Sequence, residues 1–188
     1  MSQPSDIDEF WKVEKATGNL TQLQRYEQHN SPEGIKKIIA IGGGVKMGTT
    51  MERHARFRFK NLKKREKGKE ETGYDHIIDL PTEKVPVEQK TSGHWGEDEY
   101  TWQHLEPKHK WKMLLLCGID YTDVKYWAMN RKTFNRLISE KKITNQGNKK
   151  GESSEGMWFT YSAVKDSLVE ITTQEDLLRF ASSLEDSS

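Results

Sequence analysis

The stretch 73–91 constrains the fold of this chain more than any other part of its sequence. Its two halves have the composition of β-strands, and the polar turn sequence Pro81-Thr82-Glu83-Lys84 lies between them. We therefore predict an antiparallel hairpin. Because side chains alternate across a strand, Glu88 and Lys90 should share one face of the second strand, and Gln89 should lie on the other.

Acidic side chains from both strands of this hairpin can meet. Asp75 on the first strand and Glu88 on the second would bring two carboxylates together beside Lys90, which suits a Mg²⁺ site with a cation next to it. Asp79 is the alternative first acid, because it lies four residues after Asp75 and would face the same side. The register of the hairpin decides between them, and the sequence does not supply it. Asp75 is chosen here because it follows a Gly-Tyr pair, whereas Asp79 is close to the turn.

The pattern Asp75…Glu88-Gln89-Lys90 resembles the signature of the PD-(D/E)xK nucleases, and its surroundings resemble a type II restriction endonuclease. The resemblance covers roughly residues 46–138, although a tyrosine rather than a proline precedes Asp75. It implies an α/β fold with a restriction-endonuclease-like core, in which a central mixed β-sheet is flanked by helices.

The same resemblance implies an order of elements around the hairpin. A helix that opens at about Thr50 should precede it, with a core-facing stripe of Met51, Ala55, Phe59 and Leu62. After the hairpin, residues 93–104 should form an irregular loop that returns to a helix within 102–112. Strands at 113–119 and 124–129 and a helix at 130–138 should follow.

The resemblance also implies roles for individual residues. Asp75 and Glu88 would supply carboxylate oxygens to Mg²⁺, and the backbone carbonyl of Gln89 would supply another. Lys90 would stabilise the attacking hydroxide or the charge of the transition state. Glu52, on the preceding helix, would orient a ligand or help to bind a second metal. A solvated Glu88–Lys90 pair on an exposed hairpin is the structural alternative, and a charged helix face explains Glu52 equally well.

Charge is unevenly distributed along the chain, although the formal net charge is only +1. Residues 46–69 and 131–150 are strongly basic, and these segments flank the acidic hairpin, which suits binding to a phosphate backbone. A polar loop in the second segment could read bases through its amides, although an ordinary surface loop has the same composition. The candidate DNA-binding residues are Lys46, Arg53, Asn145, Gln146, Asn148, Lys149 and Lys150.

We expect one domain over residues 1–188. Residues 1–34 should form a helical N-terminal section, 46–138 the catalytic core, and 141–161 the candidate DNA-recognition loop and strand. The apolar run 35–41 is compatible with a strand or a helix, and a final helix should start at about Thr172 or Thr173.

The sequence also bears on the cellular location. The single cysteine, Cys117, lies in an apolar run, so we expect it to be buried and reduced, and no disulfide can form within the chain. The N-terminus has neither a basic region nor an apolar segment of the secretory type, and the longest apolar run is too short to span a membrane. These features favour an intracellular protein, either cytoplasmic or nucleoid-associated.

The function implied by the resemblance is that of a Mg²⁺-dependent, sequence-specific endonuclease acting on double-stranded DNA. Such enzymes usually act as homodimers, because a two-fold axis matches a palindromic site. Two alternatives use the same observations. A repair nuclease of the same fold would cut mismatched or branched DNA, and a non-catalytic DNA-binding module would bind DNA without needing Mg²⁺.

Overall fold

The computed structural model describes residues 6–68, 73–96, 99–145 and 156–184. Its α-helices are α1 (Asp6–Ala16), α2 (Gln22–Gln28), α3 (Glu33–Ala40), α4 (Val45–Arg58), α5 (Arg131–Ser139), α6 (Tyr161–Val164) and α7 (Gln174–Ser183). Its strands are β1 (Leu62–Lys64), β2 (His76–Asp79), β3 (Lys84–Trp95), β4 (Glu99–Leu105), β5 (Met113–Ile119), β6 (Val124–Asn130), β7 (Thr144–Asn145), β8 (Met157–Thr160) and β9 (Val169–Glu170).

The described strands form one large mixed sheet flanked by helices, so the predicted α/β class is confirmed. The sheet order is β7-β8-β4-β3-β5-β6-β9, and β2 and β1 continue from β3 on a separate branch. β3 and β5 run parallel to each other. The predicted hairpin is the antiparallel β2–β3 pair.

The sheet has a hydrophobic core on each face, and β5 lies between them. All of its residues are buried. Met113, Leu115 and Cys117 pack on the face that carries α4, whereas Leu114 and Leu116 pack on the opposite face. Burial on both faces explains why this strand is a continuous apolar run rather than an alternating one. The predicted burial of Cys117 is confirmed.

Helix α4 begins earlier than the sequence predicts. Its first residue is Val45 rather than a residue near Thr50. Gly44 precedes it with φ of +86°, a conformation that glycine adopts at little cost. The predicted stripe is confirmed, because Met51, Ala55, Phe59 and Leu62 are all buried. Burial of Met51 and Ala55 offsets the low helix propensity of the glycine within the helix.

The helices predicted in the N-terminal section, at 130–138 and near the C-terminus are present. The ambiguous run 35–41 is helical, and Ile35 and Ile39 bury one face of α3. Helix α7 starts after Thr173, whose side chain accepts the Asp176 amide in a capping box. None of the helices in the described ranges is long and apolar enough to cross a membrane.

The prediction for residues 93–112 is wrong. β3 continues to Trp95, and β4 occupies 99–105, where a loop leading into a helix was predicted. Trp102 is fully buried, and its indole N–H donates to the Cys117 carbonyl at 3.0 Å, so this segment packs as a strand on the sheet. Gly93 marks a close approach rather than a loop, since a Cβ there would lie 2.7 Å from the Gln22 side chain.

Candidate active site at an open strand edge

The candidate site lies on the part of β3 that has no paired strand along one of its two edges. On one side, β3 pairs with β5 continuously from Val87 to Gly93. On the other side, it pairs with β2 over 84–87 and with β4 at 94–95. These two partner strands diverge, and the edge between them faces a cleft of about 590 Å³. The predicted motif lies in this middle part of β3, where Gln89 and Lys90 line the cleft.

The hairpin register places Asp75 beside this open edge and Asp79 away from it. Asp79 pairs with Lys84 at the turn end of the hairpin, and its carboxylate lies 2.5 Å from the Lys63 ammonium. Asp75 immediately precedes β2, and its Oδ2 accepts the backbone N–H of Gln89 at 2.9 Å. Of the two alternative acids, Asp75 is therefore the one that reaches the motif.

The contact between Asp75 and Gln89 also sets the direction of the Gln89 carbonyl. A strand residue directs its N–H and its C=O to the same edge. Because the Gln89 N–H points towards Asp75, its carbonyl points to the open edge as well. The Asp75 carboxylate and the Gln89 carbonyl, both predicted as metal ligands, thus lie at the same edge, and both residues line the cleft.

Glu88 and Lys90 share a face of β3, as the sequence predicts. The Lys90 Nζ lies 2.7 Å from Glu88 Oε1, and the Glu88 side chain is buried. Lys90 lines the cleft, whereas Glu88 does not. Burial raises the pKa of Glu88 to about 7 against the effect of Lys90, and the carboxylates of Asp75 and Glu52 raise it further. Burial is therefore the main reason that Glu88 favours its protonated form, and the neighbouring carboxylates add to it.

Glu52 faces the same cleft from α4. Burial and the Asp75 carboxylate raise its pKa, and Arg56 opposes this shift from 3.9 Å away. Within the described ranges, no group of three or more His, Cys, Asp or Glu side chains is arranged to hold a metal ion. Of the acidic side chains near this edge, Asp75 and Glu52 line the cleft, and Glu88 is buried beside Lys90.

Two residues that support the site were missed by the sequence reasoning. His76 is fully buried, and its ring nitrogens contact the Gln89 side-chain oxygen at 2.8 Å and the Arg56 guanidinium at 2.9 Å. Burial lowers the pKa of His76 to about 3, so the ring is neutral. Arg65 lies 3.5 Å from Asp75 Oδ1. The position of His76 directly after Asp75 was the one feature of the sequence that could have indicated a role for His76 in the site.

The far wall of the cleft is formed by β4 and the end of β3. Gln103 and His104 line it, and the pairing with β8 shifts register between Trp102 and Leu105. Trp95 also lines the cleft and is 61% exposed, which is unusual for so large an apolar side chain. Trp95 was not predicted as a site residue, because residues 93–104 were predicted to form an irregular loop.

The predicted DNA-binding residues lie either on helix α4 or in the predicted recognition loop. Lys46 and Arg53 are exposed on α4, and Lys46 lies between two residues that line the cleft. Asn145 is exposed in β7. The remaining members of the predicted recognition loop lie outside the described residues; these are Gln146, Asn148, Lys149 and Lys150.

No family model matches this chain, and neither a curated protein nor a solved structure matches it. We therefore infer the function from the geometry and chemistry of the open strand edge.

Proposed function

We propose that this chain is a Mg²⁺-dependent, sequence-specific endonuclease that hydrolyses double-stranded DNA, and that its sheet is a restriction-endonuclease-like PD-(D/E)xK core. One observation carries the proposal. Asp75, Gln89 and Lys90 line one cleft at the unpaired edge of β3, and the buried Glu88 carboxylate pairs with Lys90.

The residues at this edge fit a hard divalent cation. Their donor atoms are carboxylate and carbonyl oxygens, which Mg²⁺ prefers. Burial, with smaller contributions from neighbouring carboxylates, raises the pKa of both Glu88 and Glu52, and a bound cation would favour their ionised forms. Asp75, Glu88 and the Gln89 carbonyl would hold the ion. When bound, Mg²⁺ would polarise a phosphate and lower the pKa of a coordinated water.

The protein's own groups have distinct parts in this proposal. Asp75 is oriented by the Gln89 amide and by Arg65, so its carboxylate keeps a fixed direction at the edge. Lys90 is held by Glu88 and lines the cleft, where its ammonium would stabilise negative charge that develops on the phosphate or on the attacking oxygen. His76 fixes the side chain of Gln89 through a hydrogen bond to its amide oxygen.

The surroundings of the cleft suit a nucleic acid substrate. Lys46 and Arg53 are exposed on α4 and would contact backbone phosphates. Trp95 offers an exposed aromatic face at the end of the catalytic strand, and such faces stack on nucleic acid bases. At about 3.3 Å per residue, the five steps from Lys90 to Trp95 along the strand span roughly 17 Å. Trp95 would therefore contact DNA a few nucleotides away from the scissile phosphate.

The test is incubation of purified protein with supercoiled plasmid and with linear duplex DNA of mixed sequence, in Mg²⁺ and in EDTA. Discrete fragments that form only in Mg²⁺ would support the proposal. Cleavage confined to branched or mismatched DNA would replace it with a repair nuclease of the same fold. Salt-dependent binding without cleavage of any substrate would replace it with a DNA-binding module.

A further inference from the structure

A second cavity lies where helix α5 follows strand β6, and its volume is about 490 Å³. This volume is within the range of small-molecule sites. The described residues that line it are different from those that line the cleft. Three of them are cationic, namely Lys112, Arg131 and Lys132, and none is acidic. Lys112 already pairs with Glu83, so Arg131 and Lys132 are the cations that remain for an anionic ligand.

The charge at the start of α5 is opposite to the charge that a helix prefers there. Arg131 and Lys132 are its first two residues, and its first turn has no acidic residue. Because a helix N-terminus carries partial positive charge, cations are unfavourable at this position and anions are favourable. The Asn130 side chain accepts one of the first-turn amides, that of Thr133, at 2.7 Å. An anion in the cavity would relieve the excess of positive charge that remains.

Within the described ranges, Arg131 is held at the cavity without an acidic side chain in contact. Its Cζ lies 3.4 Å from the centre of the Trp111 ring. Three of its N–H groups donate to backbone carbonyls, those of Pro107, His109 and Trp111. A guanidinium has about five N–H donors, so the others remain for a ligand. Burial lowers the pKa of Arg131, and the Glu88 carboxylate opposes this shift. A guanidinium oriented in this way is suited to binding an anion.

The indole of Trp111 gives an independent indication of a ligand. Its ring is only 2% exposed and lines the cavity. Its Nε1–H has no hydrogen-bond partner among the residues that the structure describes. Buried donors of this kind are nearly always paired, either with the protein or with a bound molecule. An oxygen atom of a ligand in this cavity would supply the missing acceptor.

We propose that this cavity is a phosphate-binding site, in which Arg131, Lys132 and the first turn of α5 contact the phosphate oxygens. Arginine and helix N-termini both donate N–H groups to such oxygens and favour their negative charge. The cavity is larger than a phosphate ion, and Trp111 and Leu184 form an apolar wall beside the organic group attached to it. A free nucleotide and a nucleotide unit of DNA share this chemistry, and binding measurements with each separate the two sources.

The first experiment is calorimetric titration of the full chain with adenosine monophosphate and with a short DNA duplex, both in EDTA. Lys132→Glu is the disrupting variant. Lys37→Glu is the matched control, because Lys37 is also an exposed helical lysine but does not line the cavity or the cleft. Binding is measured without Mg²⁺ or cleavage, so the outcome is independent of the proposed function.

Lys132→Glu should weaken binding about tenfold or more, because it replaces a cation beside the phosphate by an anion, and Lys37→Glu should bind as the wild type does. Weakened binding of adenosine monophosphate identifies a site for free nucleotides. Weakened binding of the duplex alone identifies a site for a backbone phosphate. A wild type that binds neither ligand, or equal affinities of the two variants for both, overturns the proposal.

Thermal unfolding without ligand tests the unfavourable charge at the start of α5. Lys132→Glu should raise Tm above that of the wild type, because an acid replaces a cation at a helix N-terminus. Lys37→Glu should not raise Tm, because Lys37 lies in the last turn of α3, where a cation is favourable. A variant that is more stable but has lost binding cannot owe that loss to misfolding. A lower Tm for Lys132→Glu contradicts the proposal.

Discussion

Two clusters of charged side chains lie along β3. They differ in whether hydrogen bonds and ion pairs outweigh the effect of burial on the pKa of their carboxylates. At the closed end of the strand, His94 Nε2 lies 3.0 Å from Asp120 Oδ1, and Lys125 also pairs with this carboxylate. Burial acts against the ionised form, yet these hydrogen bonds hold the pKa of Asp120 at about 2. At the open edge, burial raises the pKa of Glu88 to about 7 in spite of Lys90.

The contrast separates a structural cluster from a candidate functional one. The Asp120 carboxylate is paired within the protein by His94, Lys125 and the Tyr121 amide, so its charge stabilises the fold. At the open edge, burial and neighbouring carboxylates raise the pKa of Glu88 and of Glu52, and Glu52 lines the cleft. Perturbed acids in a cleft are typical of sites that act on a ligand. The two clusters should therefore respond in opposite ways to substitution.

The largest expected effect is on catalysis. Lys90→Met should lower the rate of DNA cleavage by about 10²–10³-fold, because it removes the cation proposed to stabilise the transition state. Lys125→Met removes the lysine of the closed cluster and should leave the rate per folded molecule close to wild type. Rates are compared under single-turnover conditions. Equal losses in the two variants would remove the distinction between the clusters.

The next effect is on stability, because substitution of Glu88 should raise the free energy of unfolding. The pKa of Glu88 is raised on folding, so ionisation of this group opposes folding once the pH exceeds its unfolded value. Glu88→Gln should therefore stabilise the protein by about 1–2 kcal/mol at pH 8 in EDTA. The advantage should disappear as the pH falls through 7 towards 4.5. Urea unfolding at several pH values measures this, and a destabilised variant at pH 8 would contradict the account.

Asp120→Asn should have the opposite effect, a loss of about 1–2 kcal/mol at neutral pH, because it removes a charged acceptor from His94 and Lys125. Since the folded pKa of Asp120 is lowered, its stabilisation is present above the unfolded pKa of about 4. That stabilisation is lost as the pH falls from 4 to about 2. The difference in unfolding free energy between wild type and variant should shrink over the same range.

The smallest effect concerns DNA affinity. Trp95→Ala should raise the dissociation constant for duplex DNA about tenfold, because base stacking on an aromatic side chain contributes about 1–3 kcal/mol. Phe57→Ala is the control, since Phe57 is also exposed but does not line the cleft. Fluorescence anisotropy with labelled DNA measures both. An unchanged affinity for Trp95→Ala would exclude Trp95 from the proposed DNA surface.

The parts of this site that depend on local sequence could be predicted. Strand alternation placed Glu88 and Lys90 on one face, and turn residues located the hairpin. The choice between Asp75 and Asp79 needed the register, which the structure supplies through the bond from the Gln89 amide to Asp75. Helix α4 was placed correctly, but its start was wrong because the glycines before it were assigned to the connection.

The opening of the strand edge could not be predicted, because it depends on pairings between distant segments. β4 was assigned to a loop and a helix, since Gly93 and Gly96 resemble turn signals and residues 102–112 have no clear strand alternation. The burial of Trp102 against β5 overrides those local preferences. Burial of His76 and the raised pKa of Glu88 likewise arise from tertiary packing.

The most direct test of the central claim asks which acidic cluster binds a divalent cation. Mn²⁺ is titrated calorimetrically into Lys90→Met protein bound to duplex DNA, and the titration is repeated with Asp75→Asn or Asp120→Asn added. The account predicts a Mn²⁺ site that Asp75→Asn abolishes and Asp120→Asn leaves intact. Binding that survives Asp75→Asn, or that is lost with Asp120→Asn, would contradict the assignment of the open strand edge as the active site.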